Sequence, residues 1–283
     1  MIFADEALKR HWSIHKYFYI LLLPILLANI PEIENLVGDW LYDSNYSHGF
    51  LVIPVAIFLI WRKRKELSLP ARPSRCGILL FLFGCLIYIL GVASSEHFTT
   101  RISMLMMITG IALYYLGKEN FKKIWFSFFF LIFMVPIPAV IYYSATLPMQ
   151  LFASRVSEAV LHILGVPLVR QGNILHLPGY SLEVVEACSG LRSLVSLLAL
   201  SSLYGYLTLT GKVRPIILFF AAIPIAIATN IFRLIFSAIG AYTVSAEFAE
   251  GFLHEIAGIT VFIVAFIFVL IVGTILKWSE KYF

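Results

Sequence analysis

Long apolar runs, each closed by charges or by proline and glycine, recur from about Tyr17 to Trp278. Eight of them have the length and character of bilayer-crossing helices: Tyr17 to Ile30, Phe50 to Trp61, Gly77 to Ala93, Ile102 to Gly117, Ile124 to Tyr143, Ser189 to Thr210, Pro215 to Val244 and Ile256 to Trp278. The second is short for a bilayer and recruits Tyr46 to Gly49 or tilts little. The expected fold is an all-α integral membrane protein, a polytopic bundle of about eight transmembrane helices forming a single domain over residues 1–283.

The longest connection runs from Ser144 to Cys188. Within it, Leu147 to Leu164 places apolar residues at helical spacing with Arg155, Ser157 and Glu158 between them, the pattern of an interfacial helix. After Gly165, the segment VPLVRQGNILHLPGYSLEVVEA alternates around the turn signals QGN and PGY, which predicts a short β-hairpin leading into Cys188. No internal repeat or low-complexity tract is evident.

Composition sharpens the membrane assignment. The 283 residues are 60% hydrophobic and 13% charged, with a mean hydropathy of +0.91, against about 45–50% apolar and about 25% charged in soluble domains. The opening MIFADEALKRHW carries two acids and lacks a cleavage pattern, so the first span is expected to be retained. A net charge of +5 invites a nucleic-acid reading, but in a membrane protein the location of basic residues decides. Threaded from a cytoplasmic N-terminus, sixteen of the 21 basic residues face inward, including Arg62 to Lys65, Arg72, Arg75, Lys118, Lys122 and Lys123, while eleven of the 16 acids face outward. Both the hairpin and Cys188 then lie on the extracytoplasmic side, and no nucleic-acid partner is expected.

That topology focuses attention on one end of the bundle. Cys76 and Cys85 fall at the inner end and the middle of the third span, where a cysteine acts as a small buried apolar residue. Cys188 instead stands where a helix begins, with Arg192 one turn on, and both a helix N-terminus and a nearby cation favour thiolate. Counting about 1.5 Å per residue along the last three spans brings Cys188, Arg233 and His254 to the same outer level. An arginine inside a span costs at least about 2.5–3.5 kcal/mol and faces the bundle interior or water; the bland alternative is snorkelling to the headgroups. Asn230 shares a face with Arg233, and Gly258 lies one turn below His254. His48, in YSHG, is a further outer histidine able to replace or assist His254. Glu183 and Glu186 precede the cysteine and could orient an imidazole or neutralise an arginine, although a carboxylate beside a thiol opposes its ionisation. No P-loop, GxSxG, HExxH or paired CxxC is present, which removes the simple readings as an ATPase, serine hydrolase or zinc protease; no metal and no cofactor is expected.

The ordered segments LEVVEACSGLRSL, ATNIFR and HEIAG resemble the signature of the exosortases, transmembrane enzymes related to the archaeosortases. YSHGFLVIP, the VPIP turn at Val135 to Pro138 and LVRQGNILHLPG add to the resemblance, which extends from Tyr46 to Gly258. It implies a cysteine transpeptidase of the bacterial inner membrane that acts on the C-terminal sorting signals of exported proteins: a Pro-Glu-Pro motif, a transmembrane helix and a basic tail. It carries the catalytic roles to Cys188, Arg233 and His254, with Arg192, Asn230, Glu186 and His48 as supporting candidates. The partners implied are the substrate's signal helix, the lipid bilayer and an unidentified acceptor nucleophile. Three other readings stand beside it. A peptidase that only cleaves shares every residue. A transporter or polysaccharide-export component would use Arg233 and His254 to bind substrate or relay protons and would tolerate Cys188→Ser. A structural assembly subunit would tolerate alanine at all three positions.

Overall fold

Within the described residues the apolar runs fold as helices, but proline, glycine and buried charge set their ends; the first expected span, Tyr17 to Ile30, lies in part outside the described residues. The computed structural model describes residues 22–68, 72–184, 191–245 and 252–280, with side chains described for all of these except 191–193 and 252–257. Two compact units divide the chain, residues 1–137 and 138–283. Among the described residues four helices are long and apolar enough to cross a membrane: Arg75–Ala93, His97–Met134, Val213–Thr243 and Gly258–Ser279. Leu194–Thr208 is a shorter apolar helix.

The first unit contains α1 (Ile30–Tyr42), α2 (Gly49–Lys63), α3 (Arg75–Ala93) and α4 (His97–Phe130), the last continuing as a 3-10 turn through Met134. α1 occupies residues expected to form an outer loop. Glu32, Glu34 and Asp39 break its hydropathy, so it is no apolar run, yet Pro31 starts a helix that buries Leu36 and Trp40. Its acids meet the partly apolar face of α4: Arg101, only 4% exposed, reaches Asp39 at 2.6 Å and also pairs with Glu32, which His97 contacts at 2.9 Å. Pairing is what allows an arginine to be buried there.

Close backbone approach joins α3 to α4. The buried residues of α3 are Gly77, Gly84 and Gly91, one every seven positions, so the glycines form one stripe while the apolar residues around it, beyond Arg75, are left for lipid. A Cβ on Gly77 would come within 2.3 Å of the Tyr114 nitrogen, and one on Gly110 within 2.6 Å of the Phe81 nitrogen. Two spans were expected across α4, and the chain does turn between them, at Gly117, whose φ of 70° only glycine adopts cheaply. Beyond that turn the chain runs antiparallel to α2, with Asn120 clasping the Ser68 backbone at one end and the His48 ring 3.0 Å from Phe133 O at the other. The expected fifth span overran: VPIP interrupts the helix at residues 135–138, because neither Pro136 nor Pro138 can donate a backbone hydrogen bond.

In the second unit α5 spans Ala139–Ile163, starting eight residues before the interfacial helix expected at Leu147 because Pro138 already opens a helix there. The expected hairpin is corrected to a three-stranded antiparallel sheet: β1 (Val169–Gln171), β2 (Ile174–Leu177) and β3 (Tyr180–Glu183). Each of the two turn signals makes its own hairpin, with Gly172 and Gly179 at positive φ. α6 (Leu191–Thr208), α7 (Val213–Thr243) and α8 (Phe252–Ser279) follow, within a few residues of their expected limits. α7 packs against α5, α6, α8 and β3. Its first half shares an apolar cluster with Leu197 of α6 and Ala265 and Val269 of α8; its second half, through Leu234 and Ala238, shares another with Ala153 and Leu161 of α5 and with the sheet.

Candidate functional site

The buried stripe of α7 reads Leu218, Ala222, Ala226, Thr229, Asn230, Arg233, Leu234, Ser237, Ala238. Apolar residues fill both ends and polar ones the middle, so Thr229, Asn230 and Arg233 lie at the seam between the two apolar clusters. Asn230 is 3% exposed and Arg233 9%. An arginine this enclosed on a membrane helix is not snorkelling, since snorkelling would bring its head to the surface. From Val213, about 1.5 Å per residue puts Arg233 about 30 Å along the helix, at the level where a span reaches the far interface.

Arg233 also lies against α8. A methyl group on Gly258 would be 3.8 Å from Arg233 Nη1, ordinary contact distance, so the guanidinium rests beside the backbone of the first turns of that helix. His254 belongs to the same helix four residues earlier, hence on the same face one turn nearer the helix start; its side chain lies outside the described residues. A Cβ fits at Gly258, but any longer side chain there would press on the guanidinium.

Cys188 and Glu186 lie outside the described residues, and so does the side chain of Arg192, whose backbone opens α6. The chain on either side is defined. Val184 is fully buried in the cluster that holds Leu234 and Ala238, and its backbone is clamped to Asn173 in both directions, N–H to Asn173 O at 3.0 Å and C=O from Asn173 Nδ2 at 3.2 Å. On the other side, Gly205 of α6 abuts Pro215 of α7, and equal rise along the two helices then sets Leu191 opposite Thr229. Glu183, at the end of β3, is exposed.

His48 belongs to the first unit, where the two motifs YSHG and VPIP meet. His48 Nε2–H donates to Phe133 O, the Tyr46 hydroxyl accepts from Ile137 N–H at 3.2 Å, and Trp40 Nε1–H donates to Met134 O at 2.9 Å. Burial holds the His48 pKa below the ordinary histidine value, against the opposing pull of its backbone hydrogen bonds. These contacts are those of a clamp on the 133–137 backbone.

The polar residues of α5, expected with Ser157 to form the outer side of an interfacial helix, are in part buried. Gln150, Ser154 and Ser157 are buried on the helix that packs against α7, and their spacing of four and three was a readable sign of one polar stripe. Among the described residues no group of three His, Cys, Asp or Glu side chains is arranged to hold a metal ion.

Comparison with known proteins adds one finding. A family model described as transmembrane exosortase matches residues 40–271, which takes in YSHG, the sheet and most of α8. No match was found among curated proteins or among solved structures.

Proposed function

The chain belongs to the transmembrane exosortase family, and on that premise we propose that it is a cysteine transpeptidase that processes C-terminal sorting signals of exported proteins at the extracytoplasmic face of the bacterial inner membrane. The observation that carries this reading is Arg233, buried in a membrane helix and set against the α8 face to which His254 belongs. The buried position of Val184, four residues before Cys188 and in the cluster that includes Leu234, supports a nucleophile near the same level.

The proposed chemistry is covalent. The Cys188 thiolate attacks the scissile carbonyl; the C–N bond breaks, the departing amine takes a proton from His254, and a thioester remains. An acceptor nucleophile, deprotonated by His254, then attacks the thioester and returns the sulfur as thiolate. Arg233 stabilises the oxyanion formed in each step. Arg192, in the first turn of α6, assists thiolate formation, and Asn230 positions the guanidinium from the adjacent turn of α7. Glu186 is proposed only to orient a neighbouring group. The substrate's own signal helix docks in the bilayer, which limits where its scissile bond can lie and lowers the entropic cost of reaching the sulfur.

The reading is tested by expressing the chain with an exported protein that ends in a Pro-Glu-Pro motif, an apolar helix and a basic tail, and measuring the mass of the mature C-terminus. A new adduct beyond the cleavage point, lost in Cys188→Ala, supports transfer. A free carboxyl terminus indicates hydrolysis alone, and processing that survives Cys188→Ala refutes the nucleophile.

A further inference from the structure

The positive residues at one end of the first unit do more than satisfy a topology rule. Ser68, residues 72–76 and residues 116–120 enclose a cavity of about 610 Å³. Arg72, Arg75 and Lys118 line it, and among the described residues none of the three is in an ion pair. One acid, Glu119, also lines the cavity, but Lys122 pairs with it at 3.0 Å, and Glu66 is engaged by Lys63 at 2.8 Å. The cavity also receives the start of α3, a nineteen-residue helix with no acid in its first turn and no side-chain cap, so its N–H dipoles add to the positive field. Ser74, at the cap position, lines the cavity and is buried at 6% exposure, with no hydrogen-bond partner for its hydroxyl among the described residues.

We propose that this cavity binds a phosphate-bearing anion, with the headgroup of an anionic phospholipid as its main source. Three cations, a helix N-terminus and a buried hydroxyl lacking an acceptor or donor match a phosphate's charge and its several acceptor oxygens. Position favours the lipid source. α3 has the length and composition of a membrane span, about 28 Å, so its first residues stand at the depth of the headgroups. Basic pockets between helices on the positive side of a membrane protein take anionic headgroups on the same grounds. The site lies in the unit that does not hold Arg233 and is independent of the proposed catalysis.

Cys76, expected from the sequence to be buried, is instead exposed and lines the cavity, because the first turn of α3 opens onto it, so it reports occupancy directly. The full chain is placed in nanodiscs of phosphatidylcholine, with or without phosphatidylglycerol, and in a third arm inorganic phosphate is added to the neutral discs. The rate of Cys76 alkylation by N-ethylmaleimide is read by peptide mass, which separates it from the other cysteines. Phosphatidylglycerol is expected to slow alkylation several-fold in the wild type and in the off-cavity variant Arg62→Gln/Lys65→Gln/Lys212→Gln, but not in Arg72→Gln/Arg75→Gln/Lys118→Gln. The single variant Arg75→Gln, less disruptive to folding, is expected to lose part of the protection. Protection of the wild type by inorganic phosphate alone, lost in the cavity variants, keeps the site and assigns it a soluble ligand. Equal protection of the cavity and off-cavity variants would reduce the effect to general surface charge and overturn the proposal, as would a wild type protected in neither arm.

Discussion

Arg233 and Gly258 form the most informative residue pair in the second unit, because the guanidinium lies where a methyl on Gly258 would just touch it, at the level of the proposed chemistry. Gly258→Ala adds a methyl at ordinary contact distance and improves helix propensity, so a thermal melt is expected to show a gain of up to about 1 kcal/mol with activity close to wild type. Gly258→Leu pushes into the guanidinium, and processing is expected to fall far more than stability. Arg233→Lys keeps a charge but loses the planar fork of donors. Processing rate should drop by about 10²-fold or more, the usual cost of losing an oxyanion donor, in protein that still folds. His48 makes a contrasting case. Its depressed pKa means that the folded state favours the neutral ring, so its contribution is complete above the unfolded value near 6.5 and is lost as pH falls through the lower folded value. His48→Ala leaves Phe133 O without that donor, and a melt at pH 7.5 should show a loss of about 1–3 kcal/mol. Partial recovery in His48→Gln with activity restored in parallel would mark a clamp; restored stability without activity would mark a chemical role.

At the scale of elements, the glycine stripe of α3 and the cap of α4 carry the first unit. Gly110→Ala would force α3 and α4 apart where their backbones nearly touch, and overpacking of this kind costs about 1–3 kcal/mol, readable as a lower melting temperature in detergent. Glu96 caps α4 by accepting from Thr99 N at 2.6 Å and Phe98 N at 3.3 Å. Desolvation raises its pKa, but the hydrogen bonds outweigh that and hold it below the ordinary carboxylate value. Its stabilisation is therefore present above the unfolded pKa and lost as pH falls through the folded one. Glu96→Ala should cost about 1 kcal/mol at neutral pH and less in acid. Apolar length was enough to predict α3, α7 and α8 closely, because in a bilayer the helix is the default for any long apolar run. It missed α1, whose burial depends on a distant arginine, Arg101, pairing with Glu32 and Asp39. It also ran the fifth span through VPIP, where the breaking power of two prolines outweighs hydropathy.

At the scale of the whole molecule, most of the described basic residues of the first unit gather at one end, together with Glu66 and Glu119, while Glu32, Asp39 and Glu96 lie at the other with Arg101. Lys123 reaches the Glu66 backbone and Arg72 lies against Gly117 at the first end, while Glu32, Asp39 and Arg101 meet at the second. Alternating the chain through a membrane was thus a sound way to find which loops meet within that unit. The candidate site was legible in part. Arg233 was found because a charge inside an apolar run is costly enough to need a reason, and its burial and its place beside α8 bear out the interior position. Depth counting could not give azimuth, which is set by how α7 packs on α5, α6 and α8, nor could it anticipate that the polar face of α5 is buried against α7. The central claim is that Cys188 forms a thioester with the substrate. It is best tested by quenching the purified chain in acid during turnover of a signal-bearing peptide and measuring its intact mass. The account predicts an added mass equal to the acyl half of the peptide, mapped to Cys188, absent in Cys188→Ala and released by hydroxylamine. A wild-type chain that processes the peptide while carrying no adduct on Cys188 at any time point would contradict it.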